Sequence, residues 1–97
     1  MVRVELAESV VDAMLAIGSK ADAVAVARRL RGLETFPELG TVYDPAYEAA
    51  RPEHDVLVTF AGHYGIYYTY ADDCVSVEYL QDERRDPRTR FKEPTES

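Results

Sequence analysis

Ninety-seven residues suffice for one domain with one core and are too few for two, because a chain of this length buries somewhat under roughly two-thirds of its unfolded surface. A composition of 46% hydrophobic and 30% charged residues excludes intrinsic disorder, and no run approaches the roughly 20 apolar residues a membrane-crossing helix needs. Eighteen acidic against eleven basic residues leave a formal charge of −7, which argues against broad attraction to nucleic acid and against free DNA binding.

In chain order, VRVELA (2–7) alternates apolar and charged residues, the periodicity of a strand. The period then changes: Val10, Met14 and Ile17 recur at helical spacing within 8–17, and Gly18 stands where a left-handed cap would end that helix. Ser19 with Asp22 three residues on resembles a capping box and opens a second helix over 20–35, with Val24, Ala27, Leu30 and Leu33 on its apolar side. Pro37 ends it. Two helices so closely joined form a hairpin that buries one shared face. Arg28, Arg29 and Arg31 are either a small basic patch or, the reading preferred here, solvated residues near the helix C-terminus.

Residues 37–54 hold three prolines and no period, so they read as a loop. Asp44 and Pro45 suit the start of a short helical turn over 46–50, and Tyr43 and Tyr47 read as pins holding the loop to the body. Three strands rich in β-branched and aromatic residues follow, at 55–60, 63–70 and 74–80. Ala61-Gly62 and Ala71-Asp72-Asp73 are hairpin-length joins, so these strands should be sequential and antiparallel. Val75, Val77 and Tyr79 are assigned to one face of the last strand, Ser76 and Glu78 to the other.

The expected architecture is α+β: β-α-α-β-β-β, an antiparallel sheet with a helical hairpin packed on one face, the first strand pairing at the edge or within. Residues 1–92 form the single domain and 93–97 (EPTES) a frayed tail. With Ile66 and Tyr68 beneath the helices, Gly65, Tyr67 and Thr69 face an uncovered groove. From Glu34 to Glu83 the chain has eleven acids and one base, whereas Arg84 to Lys92 has five bases and one acid, so a compact positive site is expected at the rim of that groove. Cys74 is a lone cysteine and reads as a small strand residue. It fits a reducing compartment, and MVRVELAES bears charges where a signal peptide needs an apolar run, so a cytoplasmic protein is expected. His54, His63 and Cys74 lack metal-ligand spacing, and neither a metal nor a cofactor is expected.

The order of elements, together with TFPELG, HYGIYYTYADDCVSVEYL and ERRDPRTRF, resembles the RelE/ParE superfamily of bacterial toxins from type II toxin–antitoxin systems, the addiction modules of plasmid stabilisation. The resemblance spans residues 2–92. It implies a growth inhibitor neutralised by a small cognate antitoxin, whose target is either ribosome-bound mRNA, cut by attack of the ribose 2′-hydroxyl, or DNA gyrase. Carried over residue by residue, Arg84 and Arg85 match the arginines that follow the last strand. The arginine usual in the middle strand is replaced within Tyr64-Gly65-Ile66-Tyr67-Tyr68, DVLVTF lacks the usual base, and Gln81 or Asp82 stands where other members carry histidine.

A phosphorane-like transition state needs cations and a proton shuttle. Arg84 and Arg85 supply charge but do not deprotonate near neutrality, so the acid–base work would fall to Tyr67 or His63. The missing bases rank a protein target such as gyrase ahead of RNA cleavage. A degenerate, non-toxic binding module of the same fold is the alternative from a different class.

Overall fold

The computed structural model describes residues 2–44 and 55–84. Five strands and two helices follow in the order β1 (Arg3–Leu6), α1 (Glu8–Leu15), α2 (Lys20–Leu33), β2 (Thr41–Val42), β3 (Leu57–Ala61), β4 (Tyr64–Ala71) and β5 (Cys74–Asp82). They make a small α+β domain with one five-stranded sheet ordered β1-β5-β4-β3-β2. The helix turn expected over 46–50, Tyr47, Arg85 with the cations that follow it, and the tail at 93–97 lie outside the described residues.

The sheet is mixed rather than antiparallel. β1 runs parallel to β5, pairing Arg3 with Cys74 and Leu6 with Val77, because the helical hairpin returns the chain across one face before β3 begins. The three-strand meander is antiparallel as expected. β2, read as loop in the sequence, pairs Thr41 with Val58 and Val42 with Leu57 along the outer edge of β3.

The two hairpin turns follow from their residues. Gly62 has φ +59 and opens a two-residue turn between the paired Ala61 and Tyr64. Asp72 and Asp73, with φ 53 and 58, supply the two left-handed positions between Ala71 and Cys74, a conformation short polar side chains tolerate. Gly18 does not adopt the left-handed conformation expected of it. α1 instead ends at Ala16, still in the right-handed region, where the Ile17 N–H bonds the Met14 carbonyl.

One core lies between helices and sheet. Val10 of α1, with Val26, Leu30 and Leu33 of α2, packs on Ile66, Tyr68, Val75, Val77 and Leu80. The inward face of α2 is therefore Asp22, Val26, Leu30 and Leu33. Val24, assigned inward from the sequence, lies about 120° round the helix from Leu30 and is exposed, as is Ala27. Tyr68 reaches past the core to the 37–40 segment, where its hydroxyl donates to the Pro37 carbonyl and accepts from the Gly40 N–H, each at 2.8 Å.

The far face of the sheet is also packed. Val56, Val58 and Tyr67 form a second buried cluster with Tyr43 and Tyr79 against it. Tyr79 belongs to this face and not with Val75 and Val77, because a register shift pairs Tyr67 with Tyr79 but Tyr68 with Val77. The extra residue of a bulge reverses the alternation along β5, so Leu80 takes the core side. The uncovered groove expected around Gly65, Tyr67 and Thr69 is thus corrected. Tyr67 is 0% exposed and Tyr43 packs edge-on against its ring at 4.9 Å.

Candidate functional site

The β3–β4 turn and the end of β5 meet at one end of the sheet, joined by a 2.8 Å bond from the Glu83 N–H to the His63 carbonyl. The start of α2 descends onto the same place. Ser19 caps that helix, its hydroxyl accepting from the Asp22 N–H at 3.2 Å as the capping pattern predicts. The Asp22 carboxylate does not complete a capping box. It turns inward instead, 4% exposed, and accepts from the His63 N–H at 3.2 Å and from the His63 ring at 3.0 Å.

A carboxylate accepts only, so the bond to Asp22 fixes the hydrogen on Nδ1 and leaves Nε2 as the free ring position. The His63 side chain is 59% exposed while that of Asp22 is 6% exposed, so a buried acid orients an accessible imidazole. The His63 hydrogen bond is the largest influence on Asp22 and holds its carboxyl below the usual range. Burial opposes this, while the His63 N–H and the charge of Arg84 add to it. His63 is therefore an exposed turn residue whose ring is held in one orientation by a buried acid.

Arg84 stands beside this pair. Its Nε and Nη2 grip the two oxygens of Asp82 at 2.8 and 2.7 Å, and its backbone N–H bonds Asp82 Oδ1 at 3.0 Å. This fork lowers the Asp82 carboxyl to about 2, the side-chain bond from Arg84 being the largest cause and its backbone N–H the next. A depressed carboxylate stabilises the fold above the ordinary value near 4 and ceases to do so as pH falls through about 2. An NMR titration of the Asp82 carboxyl should give a midpoint near 2, moving up toward 4 in Arg84→Ala. A wild-type midpoint already near 4 would show that the fork does not persist in solution.

Of the four residues singled out from the sequence, the structure brings His63 and Arg84 together and takes Tyr67 out of reach of solvent. The Tyr67 hydroxyl donates to Glu83 Oε2 at 2.7 Å, so the phenol points toward the same end of the sheet from within the second cluster. Arg85 is outside the described residues. Asp22 and Glu83 were missed as site residues. Asp22 carried a local signal, an acid on the inward stripe of a helix, but its partner lies forty-one residues away in the chain.

The carboxylates that act on the Arg84 guanidinium among the described residues are Asp82 and Asp22, a surplus of acid. Among the described residues no group of three or more His, Cys, Asp or Glu side chains is placed to hold a metal ion, and no helix is long and apolar enough to cross a membrane. No family model matches this chain, and neither the curated proteins nor the solved structures contain a match to it.

Proposed function

We propose that this chain is the toxin component of a type II toxin–antitoxin module, a growth inhibitor that acts by binding a protein target such as DNA gyrase and is neutralised by a small cognate antitoxin. The class rests on the sequence resemblance over residues 2–92. One observation supports the choice of a protein target. The Arg84 guanidinium is paired with Asp82 and the Tyr67 hydroxyl is buried against Glu83, so neither stands ready for a phosphate. A phosphodiester approaching Arg84 would meet Asp82 and Asp22 as well. A protein surface, with its mixture of donors and acceptors, is the better complement to such a site.

The Asp22–His63 pair favours a second reading, ribosome-dependent mRNA cleavage. An exposed imidazole held by a buried carboxylate is suited to moving a proton at Nε2. The degenerate, non-toxic module remains the outcome if neither activity exists.

Induced expression in a bacterium tests the class. Growth arrest relieved by a small protein encoded beside this gene supports it, and normal growth with abundant folded protein removes it. Arg84→Ala combined with Arg85→Ala is expected to abolish arrest and leave the circular dichroism spectrum unchanged, since an exposed ion pair such as that of Arg84 contributes little to stability. Undiminished arrest in that variant would take both arginines out of the site.

A further inference from the structure

Three large apolar side chains that the core does not use converge on one margin of the molecule. Phe36 is 65% exposed, Phe60 53% and Leu39 44%. They line a trough of about 500 Å3 between α2 and β3, with Arg28, Arg29 and Gly32 along its helical wall. The α2 residues that line it run from Ala25 to Arg29 and Gly32, with Phe36 just beyond the helix, a length of about 16 Å. Five residues of extended chain cover that distance. The strand side is open too. β2 pairs only with Leu57 and Val58, so from Thr59 to Ala61 the outer edge of β3 has no ladder partner among the described residues.

Charge says what the trough is shaped to receive. The chain carries −7 overall, and where its described arginines meet acid they are matched within the chain, Arg3 to Glu5 and Arg84 to Asp82. Arg28 and Arg29 have no hydrogen bond or ion pair among the described residues. Two unmatched cations beside exposed aromatic rings form a local positive, apolar surface on a negative body. A second copy of this chain would bring its own −7 and be repelled, as would an anionic bilayer.

We propose that this trough docks a short extended segment of a partner protein that carries aromatic or leucine side chains next to aspartate or glutamate. The rings of Phe36 and Phe60 take the apolar side chains, Arg28 and Arg29 take the carboxylates, and the free edge of β3 offers its backbone donors and acceptors. This surface adjoins the Asp22–His63–Arg84 end of the sheet at Gly62 but uses none of those three side chains, and the inference does not depend on toxicity.

The test is selection of a random peptide library displayed on phage against the immobilised full chain, followed by affinity measurement on synthetic copies of the enriched peptides. A consensus pairing acidic with aromatic or leucine residues is expected. Binding should weaken at least roughly tenfold in Arg28→Glu/Arg29→Glu and in Phe60→Ser, and fall as salt rises. Lys20→Glu, a charge reversal at the other end of α2, should change it less than about twofold. All of these side chains are exposed or half-buried, and unchanged circular dichroism confirms that each variant folds. Absence of enrichment, a consensus lacking acids, or undiminished binding to the double arginine variant overturns the proposal. So does sedimentation showing a dimer of the chain alone that Phe60→Ser dissolves, which would assign the trough to a second copy.

Discussion

Tyr67→Ala is expected to lower unfolding free energy by about 3–5 kcal/mol, the range for removing a buried aromatic side chain. Tyr67 is 0% exposed and lies at the centre of the cluster on the far face of the sheet, between Val58 across β3 and Tyr79 across β5. Alanine would forfeit those contacts and the edge-on packing of Tyr43. Tyr67→Phe keeps the ring and gives up the hydrogen bond to Glu83, a loss of about 1–2 kcal/mol. The phenylalanine variant should therefore remain folded and as growth-inhibitory as the wild type. Urea denaturation of the two variants measures the difference. A folded Tyr67→Phe protein without activity would restore the phenol to the chemistry and undo its assignment as a packing residue.

Gly62→Ala is expected to destabilise by about 2–4 kcal/mol, from two separate causes. The φ of +59 costs an L-residue about 1–2 kcal/mol. A Cβ at this position would also run into the Asp22 carboxylate, which is held in place by His63 from the same turn. These causes separate in a double-mutant cycle. In an Asp22→Ala background the steric part disappears and Gly62→Ala should retain only the backbone part, about 1–2 kcal/mol. Strict additivity of the two substitutions would mean that helix and turn are not in contact as described.

Local chemistry was legible in the sequence where one or two neighbouring residues decide the outcome. Ser19 and Asp22 mark the start of α2, Gly62 and the Asp72-Asp73 pair mark the hairpins, and Ile66 and Tyr68 lie beneath the helices as period two requires. Features set by pairing between distant segments were not. The parallel union of β1 with β5 depends on where the helical hairpin lays the chain down. The bulge that moves Tyr79 to the far face is a property of two strands together and leaves no mark in β5 alone. β2 is two exposed residues long, too short for any periodicity.

The candidate site divides in the same way. His63 and Arg84 could be singled out as residues of the right type, one in the first turn of the meander and one after its last strand. What changes their meaning is a partner each acquires through folding. Asp22 turns a turn histidine into an oriented one, and Asp82 takes up the charge of the arginine that was expected to meet a phosphate. The expectation of an open tyrosine surface failed for a related reason. Alternation says which side chains share a face but not whether that face is covered, and Val56, Val58 and Tyr43 gather over this one.

The most direct test of a protein-directed inhibitor is a supercoiling assay with purified gyrase in the presence of this protein, alongside a ribosome-bound message in the same buffer. Supercoiling is expected to be blocked while the message stays intact. Supercoiling that proceeds normally while the message is cut would contradict a protein target, and would move the function to the imidazole of His63.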